Sequence, residues 1–189
     1  MRLWNLIYRM NALPADYFAV FGISLQLALD LPELQRQFYV LSKQHHPDRF
    51  ARASADEQRY ALDFTSLLND AWRVFRDPVA RAEYVLKLLG YDTADSRTNT
   101  VPAELLEEVF ELNMALEEAR DGDSGARKQV AEALTHFTAL RQDLDVERDR
   151  IFAAYDAAPA DTHLEALRSL LNRRRYIDNL VRDAQQALS

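Results

Sequence analysis

The sequence predicts an all-α protein. Apolar residues recur at spacings of three and four along most of the chain, and no segment shows the sustained apolar–polar alternation of a β-strand. Gly and Pro are scarce, with 4 and 6 among 189 residues, and they fall where an apolar periodicity starts or stops. Hydrophobic residues make up 48% of the chain, which is ample for a buried core. We therefore expect about seven helices separated by short breaks.

The first half of the chain predicts four helices, each bounded by a capping residue, a Gly or a Pro. Ser54, followed three residues later by Glu57, forms a capping box that marks the start of the third helix. The second and third helices are similar in length, so we expect them to pack antiparallel, with the loop at Pro47 exposed at one end. The four helices span about residues 15–21, 31–44, 54–77 and 78–89.

The second half predicts a bundle of three longer helices. Residues 91–101 are polar and show no periodicity, so we interpret them as a linker. Thr162 and Glu165 form a second capping box, and short loops between the helices favour antiparallel packing. The three helices span about residues 102–120, 124–155 and 162–189. The predicted organisation is an N-terminal extension (1–14), a first domain (15–90), the linker (91–101) and a second domain (102–189).

Charge divides the chain in the same way. Residues 1–90 hold 11 basic and 10 acidic residues, whereas residues 91–189 hold 12 and 20. The shift indicates two units with different surfaces, and the acidic second half argues against a nucleic-acid partner. The chain has no cysteine, which excludes disulfides and thiolate metal sites and suits a reducing compartment, so we expect a cytoplasmic protein. No apolar run approaches the roughly 20 residues that span a bilayer, so no membrane partner is expected.

The first ten residues mix Arg2 and Arg9 with apolar residues and could begin an amphipathic targeting segment. They lack a long apolar stretch, so a secretory signal is not expected. We favour the interpretation that translation begins at Met10 and that the residues before it are an upstream extension.

His46-Pro47-Asp48 forms a polar break between two strongly helical segments. Pro47 forces His46 out of the α-helical region, so the second helix should end there. Arg36 and Lys43 are seven residues apart and share a polar, basic face of that helix. Taken alone, such charges most often belong to an ordinary solvated face.

A metal site is an alternative at the same position, because His45, His46 and Asp48 are close in sequence. His45 continues the apolar face of the second helix, however, while Pro47 turns His46 elsewhere, and no fourth ligand is evident. The sequence also shows no nucleophile–base pair and no phosphate-binding loop. We therefore expect no metal, no cofactor and no catalytic residue.

The helix over 102–120 carries two apolar stripes. Its core stripe is predicted to consist of Leu105, Val109, Leu112, Leu116 and Ala119. A second stripe, Leu106, Phe110 and Met114, lies on another face and is edged by Glu107, Glu111 and Glu118. A helix of a three-helix bundle should not bury both stripes, so the second is a candidate docking site. The alternative is that it packs against the first domain.

Two sets of motifs resemble a known family. Tyr17-Phe18-x-x-Phe21-Gly22, with His46-Pro47-Asp48 after a basic helix, makes residues 16–90 resemble a J-domain, the module that activates Hsp70 chaperones. Asp77-Pro78-x-x-Arg81-Ala82-x-Tyr84, followed by an acidic helical bundle, resembles the HscB (Jac-type) co-chaperones of iron–sulfur cluster assembly. General J-proteins carry a Gly/Phe-rich segment and a cysteine-rich zinc domain, and eukaryotic relatives carry a cysteine-rich N-terminal segment. A chain without cysteine therefore favours the bacterial type.

The resemblance implies an L-shaped, two-domain, non-enzymatic co-chaperone that carries an IscU-type scaffold protein to an HscA-type Hsp70 and stimulates its ATPase. The implied Hsp70-binding residues are His46, Pro47, Asp48, Arg36, Lys43 and Arg49. The implied scaffold-binding residues are Leu106, Phe110, Glu111, Met114, Glu118 and Tyr176. Met114 stands where relatives can carry an acidic residue, which sets it apart from the others. Two alternatives stay open, namely a general J-protein that serves other clients and a helical adaptor that binds without stimulating.

Overall fold

The computed structural model describes residues 13–91, 105–121 and 123–189. Over these ranges the protein is all-α, as predicted, with seven α-helices, one 3₁₀ turn and no β-strand. The helices are α1 (Tyr17–Phe21), α2 (Leu31–His45), α3 (Ala55–Phe75), α4 (Pro78–Leu88), α5 (Leu106–Arg120), α6 (Ser124–Ala157) and α7 (Asp161–Leu188), and the 3₁₀ turn is Pro47–Phe50. The predicted start of α5, at about residue 102, lies outside the described residues.

Phe75 lies at the centre of the core that α1, α2 and α3 form. Its side chain is fully buried, and the rings of Phe18 and Phe21 lie 4.8 Å and 5.7 Å from it, centroid to centroid. Between the two longer helices of this core, Phe38 of α2 stacks on Trp72 of α3, with ring centroids 5.3 Å apart. The buried residues of α3 recur at spacings of three and four, as the sequence predicted: Ala61, Phe64, Leu68, Ala71 and Phe75.

The capping box predicted at the start of α3 is confirmed. The backbone N–H of Glu57 donates to Ser54 Oγ (3.3 Å), and the backbone N–H of Ser54 donates to Glu57 Oε2 (2.7 Å). Two backbone donors that the helix itself leaves without partners are therefore satisfied by side chains. The cap fixes where α3 begins and so sets the length of the connection from the 3₁₀ turn.

Replacing Ser54 with Ala is expected to lower the free energy of unfolding of the α1–α3 core by about 1 kcal/mol, because it removes this cap. The chain has two tryptophans, so a Trp4→Phe background leaves Trp72 as a fluorescent reporter of this core during urea unfolding. Ser66→Ala is the matched control, since Ser66 is an exposed residue in the interior of the same helix. Equal unfolding midpoints for the two variants would show that the cap contributes nothing.

The chain divides into two compact units between Arg81 and Ala82, within α4. We call these the N-terminal unit and the C-terminal unit. The second half of α4 belongs to the C-terminal unit, where Glu83 binds Arg175 of α7 at 3.1 Å. This division falls earlier than the sequence-based domain end at residue 90. The predicted limits of 15–90 and 102–189 stay predictions, because the proposed linker lies almost wholly outside the described residues.

The C-terminal unit is built on the long helices α6 and α7, and α5 packs against both. The buried residues of α7 follow the predicted spacing and include Leu167, Leu170, Ile177 and Val181. The capping box predicted at Thr162 and Glu165 is wrong, because α7 begins at Asp161 and its N-cap residue, Ala160, forms no side-chain cap hydrogen bond. Ion pairs also connect the two long helices, since Asp145 of α6 binds Arg174 of α7 at 2.5 Å. The packing against α6 and α7 buries one face of α5 and leaves the other face exposed.

Candidate protein-binding sites

The tripeptide His46-Pro47-Asp48 forms a tight, exposed turn at the end of α2. His46 has φ −58° and ψ 130°, so the backbone leaves the α region at the residue before proline, as the sequence predicted. The Asp48 backbone N–H donates to His46 Nδ1 (3.3 Å), and the Arg49 backbone N–H donates to the His46 carbonyl (3.0 Å). The Asp48 side chain is 90% exposed, so its carboxylate is accessible to a partner.

Contacts between the last turn of α2 and α3 hold the tripeptide turn in place. Thr65 Oγ1 donates to the His45 carbonyl oxygen (3.1 Å), which joins the last turn of α2 to α3. The His45 ring packs on Phe64 with centroids 4.1 Å apart, which confirms its predicted place on the apolar face. Arg49 Nη1 donates to the Lys43 carbonyl (3.4 Å) across the turn. The exposed tripeptide therefore follows a helix end that is held by contacts with α3 and by a hydrogen bond across the turn.

A shallow depression beside the turn brings together three of the predicted Hsp70-binding residues. Its volume is about 460 Å³, and it is lined by Tyr39, Ser42, Lys43, His46 and Arg49. Arg36 lies outside it and forms an ion pair with Glu33 one turn earlier on α2. Tyr39 also lines the depression and is 61% exposed, although it was not among the predicted residues. Tyr39 is an aromatic residue that lies off the apolar face of α2 and one turn before Lys43. That position was the sequence feature from which its exposure could have been predicted.

His45 should make the stability of this region depend on pH. Burial lowers the pKa of His45 from its ordinary value of 6.5, and the nearby charge of Arg49 lowers it further. The unfolded chain therefore binds a proton more readily than the folded chain, so stability falls as the pH drops through 6.5 towards the depressed value. We expect the free energy of unfolding of the N-terminal unit to fall between about pH 7.5 and pH 5.

A His45→Phe variant should show a smaller fall over the same range, because it keeps a ring against Phe64 but cannot titrate. Urea unfolding read through Trp72, in a Trp4→Phe background, measures both proteins. Parallel pH profiles for wild type and variant would exclude His45 as the source of the dependence.

The second site is on α5. Four of the five predicted core residues are buried, namely Leu105, Val109, Leu112 and Leu116. The fifth, Ala119, is only partly buried, and Ala115 is buried although it was not predicted. The other stripe is exposed, with Leu106, Phe110 and Met114 at 54%, 64% and 48%. The prediction that α5 separates two apolar faces is therefore confirmed. Large apolar side chains that are this exposed, and that follow one another at one-turn intervals, are typical of a surface that binds another protein.

The predicted scaffold-binding residues fall into three groups in the structure. Glu111, Met114 and Glu118 line a groove of about 610 Å³ between α5 and α6. Leu106 and Phe110 are exposed on α5 and are not among the residues that line this groove. Tyr176 is half-buried on α7, and burial raises the pKa of its hydroxyl. The α6 residues of the groove were missed, because periodicity on α6 alone does not show which residues face α5.

Residues 13–91, 105–121 and 123–189 contain neither a cluster of metal-binding side chains nor a membrane-spanning helix. No three His, Asp or Glu side chains in these ranges are placed together so that they could hold a metal ion. None of the helices in the described part of the chain combines the length and the apolar character that crossing a membrane requires.

The structure is similar to solved HscB chaperones, although no family model matches the sequence. Chaperone HscB from Vibrio cholerae is 27% identical, with a TM-score of 0.60, and the match covers 90% of this chain and 96% of that one. Human co-chaperone protein HscB is 24% identical, with a TM-score of 0.66, and the match covers 93% of this chain and 83% of that one. At 24% identity, the match to the human protein supports the fold of this chain and nothing further. The match to the bacterial protein, together with the motifs and the exposed tripeptide, supports the assignment of this chain to the HscB-type co-chaperones.

Proposed function

We propose that this co-chaperone binds an IscU-type scaffold protein through its C-terminal unit, delivers it to an HscA-type Hsp70 and stimulates that partner's ATPase through its N-terminal unit. The observation that carries the proposal is the tripeptide turn. The Asp48 side chain is 90% exposed there, and a hydrogen bond from Thr65 of α3 holds the end of α2 from which the turn starts. The chain itself performs no catalysis in this scheme, and its effect is on the Hsp70.

The geometry of the turn suits the stimulation of a partner. An exposed carboxylate can accept a charge-assisted hydrogen bond from an arginine of the Hsp70, and such bonds are roughly twice as strong as neutral ones. Because local hydrogen bonds and Pro47 already order the turn, little conformational entropy remains to be lost on binding. Pro47 and His46 would therefore act mainly by presenting Asp48 in one orientation.

The depression beside the turn supports the same proposal. Lys43 and Arg49 place two positive charges within it, next to His46. A basic surface of this kind accelerates encounter with an acidic partner surface. Arg36 should contribute less than these two residues, because Glu33 neutralises part of its charge. Tyr39 adds an exposed aromatic ring to the same depression, and such rings are enriched among the residues that dominate interface energies.

The exposed stripe of α5 is the proposed contact with the scaffold. Leu106 and Phe110 would be desolvated on binding, and Glu111 and Glu118 would form a charged rim beside them. Tyr176 on α7 would add an aromatic contact, with its half-buried ring held by the bundle. An iron–sulfur cluster would be carried by the scaffold, since this chain has no cysteine to ligate one. The lack of cysteine also suits the reducing cytoplasm, where we propose that the protein acts.

The proposal is tested by measuring the steady-state ATPase of a purified HscA-type Hsp70 with this chain, with an IscU-type scaffold, and with both. We expect stimulation by the chain alone and more than additive stimulation with both proteins, because the chain links the two. Scaffold binding without any stimulation would indicate the helical adaptor instead. Stimulation without scaffold binding would indicate a general J-protein.

A further inference from the structure

The groove between α5 and α6 combines an apolar floor with an acidic rim. The floor includes Leu112 and Phe137, which are 2% and 1% exposed, and the smaller side chains of Ala115 and Ala133. Four glutamates line the same groove: Glu108, Glu111, Glu118 and Glu132. With a volume of about 610 Å³, it is large enough to receive several side chains of a partner.

The negative charge of the groove is only partly balanced by the protein. Glu132 lies 3.7 Å from Lys128, and Glu108 lies 3.4 Å from His136, which is a charged partner only when protonated. In the part of the chain that the structure describes, neither Glu111 nor Glu118 forms an ion pair. An arginine or lysine could lay its aliphatic stem on the apolar floor and direct its charged end to these carboxylates.

The groove is continuous with the proposed scaffold-binding surface. Glu111, Met114 and Glu118 line the groove and lie on α5, which also presents Leu106 and Phe110. A partner that covers the exposed stripe of α5 therefore also reaches the edge of the groove. The opposite wall belongs to α6, through Gln129, Glu132 and His136, and none of these residues is part of the surface proposed above.

We propose that the scaffold-binding surface extends across this groove onto α6, and that the groove receives a basic segment of the scaffold protein. The proposal rests on the function proposed above and adds the chemistry of the partner's segment. Glu132 is a binding residue of α6, and it acts together with Glu111 and Glu118 on the opposite wall. Ala133 lines the groove, and its small side chain leaves room there for a side chain of the partner.

The test compares charge reversals at two positions of the same helix. Glu132→Lys should weaken scaffold binding by about fivefold to tenfold in isothermal titration calorimetry, because it places a positive charge where a basic segment docks. Asp143→Lys is the matched control, since Asp143 is an exposed acidic residue three turns further along α6 and outside the groove. It makes the same change in net charge and should alter binding by less than about twofold.

A steric variant and a salt titration make the test independent of a single substitution. Ala133→Leu fills the groove without changing its charge and should also weaken binding by several-fold. Raising the salt concentration should weaken binding by the wild type more than by Glu132→Lys, because salt screens the attraction that the variant has lost. Circular dichroism establishes that each variant is folded, and if Ala133→Leu fails to fold, Glu132→Lys and the salt titration decide.

Phe110→Ala separates this inference from the function on which it rests. If Phe110→Ala abolishes scaffold binding while Glu132→Lys and Ala133→Leu bind as the wild type does, the scaffold uses α5 alone and the groove proposal is wrong. If all of these variants bind normally, the proposed scaffold surface is itself wrong. Sedimentation of the chain alone that shows a dimer lost in Glu132→Lys, with scaffold binding unchanged, would assign the groove to a second copy and overturn the proposal.

Discussion

An Asp48→Asn variant is expected to lose at least nine-tenths of its stimulation of an HscA-type ATPase, while its affinity for the scaffold stays within about twofold of wild type. The amide has nearly the shape of the carboxylate but no charge, so it removes a charge-assisted hydrogen bond to the partner. Bonds of that kind contribute about 1.5–3 kcal/mol, and 1.4 kcal/mol corresponds to a factor of ten. The Asp48 side chain is 90% exposed, so the fold should tolerate the change.

Asp63→Asn is the matched control for this variant. Asp63 is exposed on α3 of the same unit, and its substitution makes the same change in charge away from the tripeptide. It should stimulate as the wild type does. Unfolding curves read through Trp72 then show that both variants keep the N-terminal unit intact. Full stimulation by Asp48→Asn would mean that the tripeptide does not act through this carboxylate.

The tripeptide is the part of the site that can be predicted best from the sequence, because its conformation depends on residues that are adjacent in the chain. A proline restricts the residue before it, and this restriction alone predicted that His46 leaves the α-helical region, so that α2 ends just before it. The spacing of the apolar residues predicted that His45 faces the core, where it packs on Phe64. The pairing of Arg36 with Glu33 was not predicted, because an i, i+3 spacing does not show which conformer a long side chain adopts.

The α5–α6 groove shows what sequence reasoning does not reach. Periodicity tells which face of α5 is buried, and the prediction for Val109 and Leu112 is confirmed on that basis. It does not tell how far α6 is shifted along its own axis relative to α5. That offset decides that Glu132 and His136 stand opposite Glu111 and Glu118, and it is a property of the packed bundle. The same reasoning explains α4, whose periodicity predicts a helix without indicating that the chain divides within it.

A Leu106→Ala, Phe110→Ala double variant is expected to weaken scaffold binding by at least about 30-fold, since truncating an apolar or aromatic anchor of an interface costs about 2 kcal/mol or more. Both side chains are more than half exposed, at 54% and 64%, so their removal takes little from the core of the bundle. The thermal unfolding midpoint should therefore stay close to that of the wild type. Tyr176→Ala should weaken binding less, because its half-buried ring offers less surface to a partner.

Val146→Ala distinguishes loss of this surface from a general loss of exposed apolar area. Val146 is 52% exposed on α6 of the same unit and lies outside the α5 stripe, so its truncation should leave scaffold binding unchanged. The double variant should also keep full ATPase stimulation when the Hsp70 is supplied without scaffold, because the tripeptide is untouched. If the double variant unfolds at a much lower temperature, the stripe contributes to the core of the protein and the docking proposal fails. If it stays folded and binds the scaffold with unchanged affinity, the contact surface lies elsewhere on the C-terminal unit.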